Sequence, residues 1–461
     1  MTAKPELRRA PRGIVRILVL ALALLAAAPL AARQGAAATA SPRLEVPAAA
    51  RATPDFDVER ATEAYLETIS PEARARSDAY FEGGYWLEGL SWLWTLGVAA
   101  ALLGGGRMRR LRDAVRARFR SELVSNLATL APILVASALL TLPLTIWVGY
   151  FREHAYGLSN QTFGGFLGDW AKGLAVSLVL GTPALVAIYA VVRRWPRNWW
   201  IRGAGLATLF LVFGIVIAPV FVAPLFNDYK KLEAGALRDD ILSMARAHRI
   251  PADDVFWFDA SKQTKRVSAN VSGLGATMRI SLNDNLLVRS PRETVLAVLG
   301  HEMGHYVLGH VVELVLEFAV VLVAGFAFLH LAFEPLRRRF AARWRIESLG
   351  DPAGWPLASA LLATFFLLAT PVTNTIIRTN EAEADAFGIA VSAEPDGFAH
   401  AAVQLSEYRK MRPGPIEELL FYDHPSGYDR IHRSMSWKAE HLEEMAAKEA
   451  MREAARAAAA E

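Results

Sequence analysis

Seven long, almost uncharged apolar runs constrain this chain more than any other feature: Ile14 to Ala32, Tyr85 to Gly106, Leu123 to Tyr150, Gly173 to Val192, Ile201 to Phe226, Val311 to Phe333 and Trp355 to Ile377. Each is long enough to cross a bilayer as a helix, and a lone segment in lipid satisfies its own backbone N–H and C=O groups only as a helix. With 53% hydrophobic residues, the 461-residue chain is too apolar for an ordinary soluble domain of this length. The expectation is an α-helical polytopic membrane protein with about seven transmembrane helices. The first run is retained as an anchor in the preferred reading. The alternative is a cleaved signal sequence, because Arg8, Arg9, Arg12 and Arg16 precede or enter it and the small residues Gly35 to Ala38 follow.

Positive charge sits in short loops beside the runs, so a net charge of +4 gives no argument for a nucleic-acid partner. Cysteine is absent, which rules out a disulfide framework or a cysteine zinc cluster. The chain divides into a first helix and linker at 1–50, four spans at 51–226, a polar unit at 227–310, two spans at 311–377, helices at 378–440 and a charged, alanine-rich tail at 441–461. Within 227–310, an amphipathic helix (Leu232 to Ala247) precedes alternating strands at Val255 to Asp259 and Met278 to Leu282. A helix then starts at Pro291-Arg292-Glu293, which makes the unit a small α+β domain.

That last helix carries His301-Glu302-Met303-Gly304-His305, an H-E-x-x-H pattern. Residues four apart on a helix point the same way, so His301 and His305 can reach one metal with Glu302 beside them as general base. Chance supplies such a match in about 0.01 of chains like this. A catalytic zinc site needs a third protein ligand. The segment Asn380-Glu381-Ala382-Glu383-Ala384-Asp385 offers carboxylates on a helix after the seventh run, with Glu381 and Asp385 on one face and Glu383 on another. Glu381 is the natural ligand, and Asp385 is placed to accept the free ring N–H of a ligand histidine. Taken alone, such a charge run is most often a solvated face.

Together with these motifs, Asp259 to Thr264, Ser268 to Gly275, Arg279 to Leu282 with Asp284, Tyr306 to His310, His424-Pro425-Ser426 and Asp429-Arg430 occur in one order along the chain, as do Ser70-Pro71-Glu72 and Arg76 to Tyr80. In this the chain resembles the type I CAAX prenyl endopeptidases and their bacterial relatives, integral-membrane gluzincins. The resemblance implies helices around a water-filled intramembrane chamber, a zincin-like domain capping it, and one Zn2+ per chain. It implies a metalloendopeptidase acting on membrane-associated or lipid-linked proteins, either by CAAX-type processing or in membrane-protein quality control. By the same resemblance His424 donates a hydrogen bond to the oxyanion, although a turn histidine capping a carbonyl would look alike in sequence. Asn270, Val271 and Ser272 match an edge strand to which an extended peptide substrate adds. Arg430 either pairs with Asp385 or binds substrate. The competing class is a polytopic transporter or scaffold with a vestigial or structural zinc site, which would have no need of Glu302.

Glu313 and Glu317 are unexpected in a span, where a lipid-facing carboxylate costs on the order of 3 kcal/mol. If the zinc helix continues unbroken into the sixth run, both turn to the side of the zinc. An alternative is pairing with Arg202 or Arg378. His310 and His330 are expected to pack rather than ligate. The basic loops, at Lys4 to Arg16, Arg107 to Arg120, Arg193 to Arg202 and Arg337 to Arg345, all fall on the face opposite the zinc unit. Positive charge marks the cytoplasmic face, which would leave the zinc unit extracytoplasmic, in a bacterial inner membrane. Sequence leaves the oligomeric state open.

Overall fold

The computed structural model describes residues 42–273 and 278–460. Six helices in it are long and apolar enough to cross a membrane. The first apolar run, Ile14 to Ala32, lies outside the described residues. After helix α1 (Val58–Glu67), capped by the Asp57 side chain, α2 (Pro71–Leu103) begins at Ser70, which caps it, with Pro71 in the first turn. The polar stretch before Tyr85 therefore belongs to the same helix as the second run. Gly105 and Gly106 both adopt φ of 65°, a left-handed turn that redirects the chain into the basic helix α3 (Arg107–Arg118). Three further spans follow: α4 (Glu122–Ala155), α5 (Phe163–Arg194) and α6 (Trp199–Ile217). Helix α5 starts ten residues before the expected Gly173, because Asp169 and Lys172 broke the apolar run without breaking the helix.

A four-stranded sheet follows the fourth span. Strands β1 (Tyr229–Lys231), β2 (Val255–Phe258), β3 (Ala269–Ser272) and β4 (Arg279–Asn283) lie in the order β1-β2-β4-β3. Strand β2 pairs parallel with β4, and β3 pairs antiparallel with β4 as an edge. Helices α7 (Ala236–Ala247), α8 (Asp284–Arg289) and α9 (Arg292–Val307) belong to the same unit. Ile241, Val255, Ile280, Leu282, Leu299 and Met303 form its core. Complete burial of such side chains stabilises by about 1.5–3 kcal/mol each.

The zinc-motif helix does not run on into the next span. It stops at Val307; Gly309 takes φ of 78°, and α10 (His310–Arg339) starts on a new axis. The expectation of one continuous helix is thus corrected: glycine in the left-handed conformation ends a helix that apolar periodicity alone would have extended. Glu313 is exposed, while Glu317 turns toward Asn380 on the last span. Arg202 instead bonds Asn198, and Arg378 binds the carbonyls of Glu418 and Tyr422. His330 accepts from Trp199 Nε1 at 3.0 Å, a packing contact inside the membrane unit.

The last span, α11 (Trp355–Ser392), is 38 residues long and carries Glu381 and Asp385 near its end. Helices α12 (Pro395–Leu405), α13 (Pro415–Phe421), α14 (Gly427–Glu440) and α15 (Leu442–Ala460) close the chain. The fully buried Lys438 ties together Ala50 O at 2.6 Å, Asp396 at 2.8 Å and Glu449 at 2.6 Å, and Tyr65 donates to Asp396 at 2.8 Å. A buried ammonium needs such partners. They hold the segment before α2 against the C-terminal helices, at the zinc-motif end.

The basic loops gather at the other end. Arg112 pairs with Asp351, Arg116 with Glu347 at 3.0 Å, and Arg193 donates to Gly350 O at 3.3 Å. At the zinc-motif end, Arg266 meets Glu153 of α4 at 2.8 Å, and Ser159 bridges to Thr264.

Candidate active site

Close packing of α9 on α11 builds the site. Gly300 and Gly304 are four apart on α9, as are Ala384 and Gly388 on α11, so each helix presents a small-residue groove to the other. A Cβ added at Gly388 would lie 2.5 Å from His301 N, and one at Gly300 would lie 2.8 Å from Gly388 O. Side chains would hold the helices apart. Their absence brings Glu381 to the histidines.

His301 Nε2 and His305 Nε2 lie 3.2 Å apart. Glu381 Oε2 is 3.2 Å from the first, and its Oε1 is 3.4 Å from the second. One ligand atom from each of the three residues fits within 4.8 Å of the others. The other ring nitrogens face neighbours outside the cluster. Nδ1 of His301 is 2.8 Å from Asp385 Oδ1, although the approach is bent, and Nδ1 of His305 is 2.9 Å from His310 Nδ1. A neutral imidazole has one N–H. When Nδ1 carries it, both Nε2 lone pairs face each other and a carboxylate with no donor among them. A proton or a metal cation relieves that arrangement, and the three converging ligand atoms fit a metal with nitrogen and oxygen ligands. The surrounding charge agrees: burial opposes a proton on His301, but Asp385 and Glu381 outweigh it and push the ring up to about 10.

Glu302 is half-buried next to this cluster. Its enclosure raises the carboxyl above the ordinary range, with His301 and His305 pulling the other way. Asp385 is completely buried and hydrogen-bonded by Arg430, with Arg433 at 3.8 Å. Of the two roles open to Arg430 in sequence, the structure shows the pairing with Asp385. His424 reaches the cluster from the turn before α14, its Nε2 3.3 Å from Glu381 Oε2. Asn270, Val271 and Ser272 are on the edge strand β3, paired to Ser281, Ile280 and Arg279 of β4.

Three residues at the site had no role in the sequence reading. His310, 1% exposed, was expected only to pack; the turn at Gly309 folds it back against His305. Asp423 Oδ1 is 2.8 Å from His424 Nδ1, and Arg409 Nη2 is 3.2 Å from the same atom. Burial would raise the Asp423 carboxyl, yet His424 outweighs it and holds it below the usual range. Gly309 directly before His310 was the available signal for the first. Arg409 comes from a distant loop and had none.

A histidine pair on one helix and a glutamate on a second, beside a bundle of six apolar spans, define an integral-membrane metallopeptidase. Residues 231–438 match the profile of Peptidase family M48, and residues 57–228 match that of CAAX prenyl protease N-terminal, five membrane helices. The chain belongs to the M48 peptidases of the type I CAAX prenyl endopeptidase family and is a metalloendopeptidase. It is 28% identical over 332 residues to the uncharacterized metalloprotease YhfN of Bacillus subtilis, covering 72% of this chain and 78% of that protein. With CAAX prenyl protease 1 of Saccharomyces cerevisiae it shares 27% identity over 338 residues, 69% of this chain and 73% of the other. The fold is similar to the crystal structure of S. mikatae Ste24p, with a TM-score of 0.63 at 22% identity, covering 82% of this chain and 94% of that one. A transporter or scaffold is not favoured.

Proposed function

We propose that the metal is zinc, one per chain, held by His301, His305 and Glu381, and that the enzyme cleaves membrane-associated or lipid-linked proteins presented as extended peptides. Bound there, zinc would polarise the scissile carbonyl and make water nucleophilic near neutral pH. Glu302 takes the proton of the attacking water and returns it to the leaving amine. Asp385, held by Arg430, orients His301. His424 donates from Nε2 to the oxyanion, a contact worth about 2.7–4 kcal/mol when well aligned. The peptide adds to the free edge of β3 along Asn270, Val271 and Ser272, which sets its register against the site.

The observation that carries this reading is the convergence of ligand atoms from His301, His305 and Glu381 beside Glu302. A structural site would not need that carboxylate. Relatives named CAAX prenyl protease 1 support lipid-linked protein C-termini as one substrate class, and a bacterial setting favours broader membrane-protein processing. The basic loops at the far end support a bacterial inner membrane with the zinc unit outside the cytoplasm. Comparing cleavage products in membranes from cells expressing the wild type or Glu302→Gln tests the function. Identical product patterns would overturn it.

A further inference from the structure

His301 has a buried carboxylate behind it, but His305 has a histidine. His305 Nδ1 lies 2.9 Å from His310 Nδ1, and His310 Nε2 lies 3.4 Å from Glu383 Oε2. His310 is 1% exposed, whereas the Glu383 side chain is 57% exposed. Resting on the proposed metal site, we infer that His310 and Glu383 form a directional relay that fixes the tautomer and orientation of His305 for metal binding. They are positioning residues.

The direction follows from valence. A histidine that gives Nε2 to a metal keeps its proton on Nδ1. His305 therefore donates to His310 Nδ1, which must be bare, and the only proton left on a neutral His310 is on Nε2. That proton points at the Glu383 carboxylate, an acceptor. Every link has one donor and one acceptor, and reversing any link puts two protons or two lone pairs face to face. Partners behind metal-bound histidines act in this way, and their loss typically costs 10- to 100-fold in metal affinity or activity. Glu383 points away from the metal cluster, so its contribution comes entirely through His310. The break at Gly309 makes the relay possible: an unbroken helix would carry position 310 five residues, about 140° around the axis, away from His305.

Packing and relay roles predict opposite orders of variants. In His310→Asn the amide oxygen sits where Nδ1 was and still accepts from His305, though the side chain is smaller. In His310→Phe the ring volume is kept and the acceptor is lost. The test is zinc affinity of the full-length protein in detergent, measured by competition with a chromophoric chelator, with unfolding midpoints of the metal-free forms as a control. The relay predicts a 10- to 100-fold loss for Phe and less for Asn. It also predicts little change for Glu383→Gln, which still accepts, and a clear loss for Glu383→Lys, which presents a donor to the Nε2 proton. Wild-type affinity in Phe, or Asn at least as weak as Phe, overturns the relay. Glu381→Ala separates this from failure of the site itself: if that variant binds zinc as the wild type does, the ligand assignment is wrong, whatever His310 does.

Discussion

Glu302 and the histidines differ in what they risk when changed. Glu302→Gln removes a base but no ligand, so hydrolysis should fall by about 10²- to 10⁴-fold while zinc stays near one per chain. Metal analysis beside a peptide-cleavage assay checks both. Near-normal turnover would sink the mechanism. His424 poses a finer question, because its Nδ1 has both an acceptor, Asp423, and a donor, Arg409, within hydrogen-bond reach. Asp423 and Arg409 together fix the orientation of the His424 ring that points Nε2 into the site, so Asp423→Asn should lower kcat by roughly 10-fold or more, the worth of a hydrogen bond to a charged group, with KM and zinc content unchanged. A change in KM alone would instead make Asp423 a substrate contact. Much of this constellation was legible at the residue scale: the H-E-x-x-H spacing puts two histidines on one helical face with a carboxylate on the same turn. Asp423 and Arg409 were not, because neither lies in a periodic pattern and their partner is set by a turn.

At the scale of elements, the crossing of α9 and α11 is the part on which the site depends. Gly388→Ala would place a methyl group 2.5 Å from the backbone nitrogen of His301. Overpacking of that kind costs about 1–3 kcal/mol, and here the helices separate at the ligands. The expected outcome is weaker zinc binding together with a lower unfolding temperature. The same substitution at Gly89 on α2, where an added Cβ meets nothing within 4 Å, should do neither. Equal zinc affinity in both variants would mean that the crossing distance does not control the site. Small residues four apart are visible in sequence, but which helix they face is not, since Gly300 and Gly388 are 88 positions apart. The limits of the elements divide in a similar way. Ser70, Asp57 and Pro71 announce helix starts by local chemistry. The early start of α5 and the break at Gly309 were missed because hydropathy averages over both.

Across the whole molecule, the zinc motif and the basic loops occupy opposite ends of the spans, and the side of the membrane is open to direct test. The natural chain lacks cysteine, so single substitutions report cleanly. Val288→Cys, at a site 49% exposed in the metal-binding unit, should react with an impermeant thiol reagent in intact cells, and Ala341→Cys, exposed beyond α10, should not. The reverse pattern would place the zinc unit in the cytoplasm. Sequence by itself determined the spans after the first, strands β2 and β4 and helices α7 and α9 of the polar unit and the identity of the histidine pair, because each is written in short-range periodicity; β1 and α8 were not legible in this way. The tertiary structure alone decided that Arg430 pairs with Asp385 and that His310 lies against His305, and it alone brought Glu381, the carboxylate chosen from sequence over Glu383, up to the histidines. Those choices depend on the angle and closeness of two helices, which many distant contacts fix together and no local pattern records.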